Sequence, residues 1–129
     1  MAAARGTRRR VVAIVDDDVG VREAMAAFFE AHGLATRSFV SAEQFLRSRL
    51  CQTAGCLVLD LRLEGMSGLE LQRLLQARGI GAPVIFCTGE PDDDGRLRRR
   101  LLRAGARAVL YKPFPPEELL HLVQTALES

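Results

Sequence analysis

Cys56-Leu-Val-Leu-Asp60, Leu61-Arg-Leu-Glu-Gly-Met-Ser67 and Gly68-Leu-Glu-Leu-Gln-Arg-Leu-Leu-Gln-Ala-Arg78 form one continuous stretch on which the fold turns. Cys56–Leu59 is apolar at every position, which suits a strand covered on both faces. After Asp60 the pattern breaks, and Leu69, Leu71, Leu74 and Leu75 then make an apolar stripe at helical spacing. Ser67 followed by Glu70 is a capping box, so the spacing predicts a helix over Gly68–Arg78, with Gly79 at its C-cap.

The same alternation extends in both directions. Strands are predicted at Val11–Val15, Ala35–Phe39, Val84–Cys87 and Ala108–Tyr111. Helices are predicted at Val19–His32, Ala42–Leu50, Gly95–Ala104 and Pro116–Glu128. Ser41 with Gln44 makes a second capping box, Gly33 marks a C-cap, and Pro115-Pro116 opens the last helix. Five strand–helix pairs in strict succession predict an α/β fold, a single five-stranded parallel sheet with five helices on both faces. Residues 11–129 form the domain, and the basic stretch 1–10 is expected to be a disordered tail.

The 129 residues suffice for one domain with a real core, and 48% apolar content excludes a disordered class. No apolar run is long enough to span a membrane or serve as a signal-peptide core, which predicts a cytoplasmic location. A net charge of +2 gives no case for direct nucleic-acid contact. Cys51, Cys56 and Cys87 form no Cys-x-x-Cys pair and read as reduced structural thiols. Of the 18 basic residues, Lys112 alone is lysine. A chain so biased toward arginine keeps a lysine where a compact point charge is wanted instead of a planar fork, or by chance.

Ligands of open parallel sheets sit outside the carboxyl ends of the strands. There this chain has Asp16-Asp17-Asp18, Asp60, Thr88-Gly89 and Lys112-Pro113. Clustered carboxylates repel unless a cation joins them, and oxygen ligands in this number suit Mg²⁺. With an ammonium and a hydroxyl nearby, the set reads as a phosphoryl-transfer site. Each part has a plainer reading: Asp18 can cap the first helix, Asp60 can open a turn, and Thr88-Gly89 can be a strand exit.

Ile-Val-Asp-Asp-Asp, Leu-Val-Leu-Asp-Leu-Arg-Leu-Glu-Gly-Met-Ser-Gly, Phe-Cys-Thr-Gly and Lys-Pro-Phe, taken together, resemble a response regulator receiver domain (CheY-like, of flavodoxin-like fold) from about Val11 to Leu127. The resemblance is nearest to receivers joined to helix-turn-helix output domains. It implies the strand order 2-1-3-4-5, Asp60 as phospho-acceptor, and Asp16, Asp17, Asp60 and the Arg62 backbone carbonyl as Mg²⁺ ligands. It also implies Thr88 and Lys112 as phosphoryl-binding groups and a cis Lys112–Pro113 peptide. A sensor histidine kinase is the implied donor. The last two helices and the strand between them would be the switching surface, controlling an output domain, a partner or a homodimer. Such a protein is a regulator that at most catalyses its own phosphorylation and dephosphorylation.

Some positions depart from the family pattern. Val109 stands where the family has its switch aromatic, three residues before the lysine. Tyr111 lies on the same side of the strand by alternation. Gly65 replaces a proline in the turn after Asp60, which predicts a looser loop. Glu90–Gly95 is long and acidic: a solvated loop, or one whose Glu90 flanks the phosphoryl group with Arg62 and sets its lifetime. Arg96, Arg98, Arg99, Arg100, Arg103 and Arg107 make the following helix basic, either as a solvated face or as a dock for an acidic partner or second copy. These departures leave open a degenerate receiver that acts as an interaction module without phosphorylation. A Mg²⁺-dependent phosphatase would want an Asp-x-Asp at a strand end, and Asp60-Leu-Arg lacks the second acid.

Overall fold

The computed structural model describes residues 10–128. Strands β1 (Val11–Val15), β2 (Ala35–Phe39), β3 (Cys56–Asp60), β4 (Val84–Thr88) and β5 (Ala108–Tyr111) pair in parallel in the order β2-β1-β3-β4-β5. Among the described residues six helices connect them: α1 (Val19–Ala31), α2 (Ala42–Leu46), α3 (Leu50–Thr53), α4 (Gly68–Ala77), α5 (Arg96–Arg103) and α6 (Pro116–Leu127). Of the predicted tail, residues 1–10, positions 1–9 lie outside the described residues. Arg10 at its edge donates from Nη1 to the Leu127 carbonyl at 3.3 Å.

Period-two alternation along the strands divides the apolar residues between two cores. Ala13, Val15, Leu57, Leu59, Phe86 and Val109 face one side, against Phe45 of α2, Leu71 and Leu75 of α4 and Leu101 of α5. Val12, Ile14, Val58, Ile85 and Leu110 face the other, against Phe29 of α1 and Leu119, Leu120 and Val123 of α6. All three cysteines are buried and free, and burial pushes the Cys56 and Cys87 thiols up to about 12, which keeps them protonated.

Predicted caps appear where expected. Ser67 and Glu70 bond reciprocally at the start of α4, and Asp18 accepts from the Val21 amide at 3.1 Å. Ser41 accepts from Gln44 at 3.0 Å, while the Gln44 side chain reaches back to the Val40 amide rather than to Ser41. The single helix expected over Ala42–Leu50 is instead two short ones. Ser48 is the physical reason: its hydroxyl accepts from the Leu50 amide at 3.0 Å and starts a new turn after Leu46.

Strands β3 and β4 each run one residue further than their apolar character predicts, to Asp60 and Thr88. Asp60 is in register with Cys87, and Thr88 with Tyr111. Both polar residues therefore sit on ladder-held backbone instead of on loops.

Candidate functional site

The carboxyl ends of β1, β3 and β4 and the segment leaving β5 meet at one rim. Asp16 follows β1 and is buried at 2% exposure, with its Oδ1 accepting from the Asp18 amide at 2.9 Å. Arg22 of α1 donates from Nη1 to the Asp16 carbonyl at 2.7 Å, fixing the turn between β1 and α1. One carboxylate oxygen each from Asp16, Asp17 and Asp60 lie within 4.8 Å of one another. Lys112 reaches into this group: its Nζ is 3.3 Å from Asp16 Oδ2 and 3.7 Å from Asp60 Oδ2. The Lys112–Pro113 peptide is cis, as the resemblance implies, and the Lys112 amide donates to the Thr88 carbonyl at 2.8 Å.

The electrostatics follow from this crowding. Burial, with Asp16 next and Asp17 adding to it, raises the Asp60 pKa to about 6 against the pull of Lys112 and the Arg62 amide. Burial lowers the Lys112 pKa, but Asp60 and Asp16 outweigh it, and the net direction is upward. At neutral pH Asp60 therefore lies above its pKa and Lys112 below its own, so that an ionised carboxylate faces an ammonium at the rim. One positive charge for three acids leaves a negative, all-oxygen site of the kind a small hard cation completes. The donor set thus fits Mg²⁺.

Thr88 is buried at the same rim, but its hydroxyl accepts from the Glu90 amide at 3.0 Å and makes no hydrogen bond to Asp60 among the described residues. Arg62 donates its amide to Asp60 Oδ1 at 3.3 Å. Its side chain crosses to the β4 exit, where Nε meets Glu90 Oε1 at 2.5 Å. Arg62 and Glu90 line a cleft of 520 Å³ together with Asp17.

The loop after Asp60, which lacks the family's proline, is tied to a neighbouring helix. Glu43 of α2 accepts from the Met66 amide at 2.9 Å, and this bond holds the Glu43 carboxyl below its usual range. Gly65 has φ 78°, a backbone most residues avoid. Gly68 lets α4 start directly beneath Asp60: a Cβ there would lie 2.4 Å from the Asp60 carbonyl oxygen.

Val109 is buried in the core, and Tyr111 lies on the same side of β5, as alternation predicts. The Tyr111 hydroxyl donates to the Asp92 carboxylate. That carboxylate also accepts the Leu97 and Arg98 amides at 3.0 and 2.9 Å, capping α5. Sequence reading missed this tie, as well as Arg22 and Glu43. The ties through Glu43 and Asp92 join residues 23 and 19 positions apart, beyond any local spacing signal.

Comparison with known proteins agrees with the fold. The response regulator receiver domain family matches residues 12–124, and the chain belongs to that family. It is 38% identical over 120 residues to nodulation protein W of Bradyrhizobium diazoefficiens, covering 93% of this chain and 52% of the relative. It is 39% identical over 121 residues to the response regulator protein TodT of Pseudomonas putida, covering 94% and 52%. The chain spans about half the length of these curated relatives. The crystal structure of FixJ-N superposes with a TM-score of 0.81 at 34% identity, covering 94% of this chain and 95% of that one. The chain is therefore a receiver domain of the two-component type, from a family of regulators rather than classical enzymes.

Proposed function

We propose that Asp60 accepts a phosphoryl group from a phosphohistidine on a sensor histidine kinase, and that this modification switches the surface of α5, β5 and α6. The observation that carries the reading is the convergence of Lys112 Nζ on both Asp16 and Asp60, with Asp17 alongside. At neutral pH Asp60 lies above its pKa of about 6 and is ionised, as a nucleophile must be. An Asp60 oxygen bonds to phosphorus as the phosphorus–nitrogen bond to histidine breaks, and the electron pair stays with the imidazole. Lys112 balances charge on the phosphoryl oxygens, so that the protein contributes mainly position and electrostatics.

Asp16, Asp17, Asp60 and the Arg62 carbonyl would hold Mg²⁺. When bound, the ion neutralises negative charge shared by the carboxylates and the phosphoryl group. Phosphorylation adds up to two negative charges at the rim. The Thr88 hydroxyl would then turn to donate to the phosphoryl group and release the Glu90 amide. Movement of that loop passes through Asp92 to the cap of α5 and to Tyr111, which offers a route to the surface without an aromatic at Val109.

The implied setting is cytoplasmic, with an output domain or a second copy reading the switched face. No helix of the described residues is long and apolar enough to cross a membrane. Incubation with acetyl phosphate and Mg²⁺, read by intact mass, tests the proposal. The chain should gain one phosphoryl group, and Asp60→Asn should gain none. An unmodified wild type would point instead to an interaction module that works without phosphorylation.

A further inference from the structure

Between α4 and α5, on the sheet face they share, lies a groove of 420 Å³ lined by Arg73, Arg96, Arg99, Arg100, Arg103 and Ala104. Arg96 lies 3.6 Å from the Asp94 carboxylate, and Arg99 donates to the Asp94 carbonyl at 3.1 Å. The side chains of Arg73, Arg100 and Arg103 make no hydrogen bond or ion pair among the described residues. Three guanidinium groups from two helices are thus left unpaired around one concavity.

Local helix energetics do not explain this arrangement. Arg96 with Arg100 and Arg99 with Arg103 are like charges four apart, and Arg96 with Arg99 and Arg100 with Arg103 are like charges three apart; each pair weakens a helix. Arg96 also sits in the first turn, where the helix dipole disfavours cations. A ligand carrying several negative charges would relieve these terms together.

We infer that this groove binds a compact oligophosphate anion. Guanidinium forks match phosphate oxygens in pairs, and the volume is that of a small-ligand site. The lining has no aromatic ring on which a base could stack, so recognition falls on the phosphates. An adjoining hollow shares Arg96 and Arg100 but is lined by Asp92, Asp93 and Asp94, which would repel a long polyanion such as a nucleic acid duplex running past the groove. The inference is independent of Asp60 chemistry.

Inorganic tripolyphosphate is the probe, titrated calorimetrically into the full chain with EDTA and about 0.15 M salt. One site with a micromolar Kd is expected, with a raised Tm. Arg73→Gln combined with Arg103→Gln should weaken binding roughly tenfold or more, while the unliganded Tm stays level or rises as like charges are removed. Arg49→Gln, near the β2 edge, should leave binding unchanged. If the double variant fails to fold, shifts of the arginine Nε signals in wild-type protein locate the site. Absence of binding, an equal response to orthophosphate at matched ionic strength, or tighter binding of an aspartate-rich peptide or a DNA duplex through the same arginines would each overturn the inference.

Discussion

Asp60→Asn should make the fold more stable, and increasingly so as pH rises. Asp60 is only 12% exposed and stands against Asp16 and Asp17, and its pKa rises from 3.8 to about 6. An acid whose folded pKa exceeds its unfolded value holds its proton longer in the native state. Stability therefore falls as pH climbs from about 3.8 through about 6, and the loss is complete above that. At about 1.4 kcal/mol for each tenfold change in proton affinity, the full effect is about 3 kcal/mol, reduced to about 2 kcal/mol by solvent and relaxation at an open rim. Asparagine keeps an oxygen for the Arg62 amide and removes the charge. Urea unfolding in EDTA, followed by circular dichroism, should place the variant about 2 kcal/mol above wild type at pH 8 and only a few tenths above it at pH 4. Adding Mg²⁺ at pH 8 should narrow the gap by stabilising wild type more. A gap that is absent at pH 8, or independent of pH, would refute the electrostatic account of the rim.

Gly68→Ala should cost about 2 kcal/mol or more in urea unfolding, because the new Cβ meets the Asp60 carbonyl at 2.4 Å and neither backbone can yield freely. Tyr111→Phe removes the hydroxyl from Asp92, so the amides of Leu97 and Arg98 should exchange with deuterium severalfold faster while the sheet is unaffected; unchanged exchange would mean that the tie carries no weight. Neutralising Arg62 or Glu90 should change the lifetime of the phosphorylated form, because the two pair along the cleft that Asp17 also lines, and equal lifetimes would discard that role.

Much of the fold was legible because its signals are local. The apolar run of β3, the stripe of α4 and the Ser67–Glu70 box each lie within a few residues. Asp16, Asp60, Thr88 and Lys112 could be picked out because a parallel sheet brings its strand ends to one rim. The break between α2 and α3 was missed because one serine hydroxyl competes with an otherwise helical pattern. The tie from the loop after Asp60 to Glu43 was missed because Glu43 belongs to a different helix. Alternation put Tyr111 on the side of Val109, but nothing in β5 indicates that its hydroxyl reaches Asp92 across the loop before α5.

The central claim is that one particular carboxylate carries the phosphoryl group. Borohydride reduction of acetyl-phosphate-treated protein, followed by peptide mass mapping, reads that carboxylate directly, since an acyl phosphate is reduced to an alcohol. Homoserine at position 60 alone is the predicted result. Reduction at Asp16 or Asp17, or none anywhere under Mg²⁺, would contradict it.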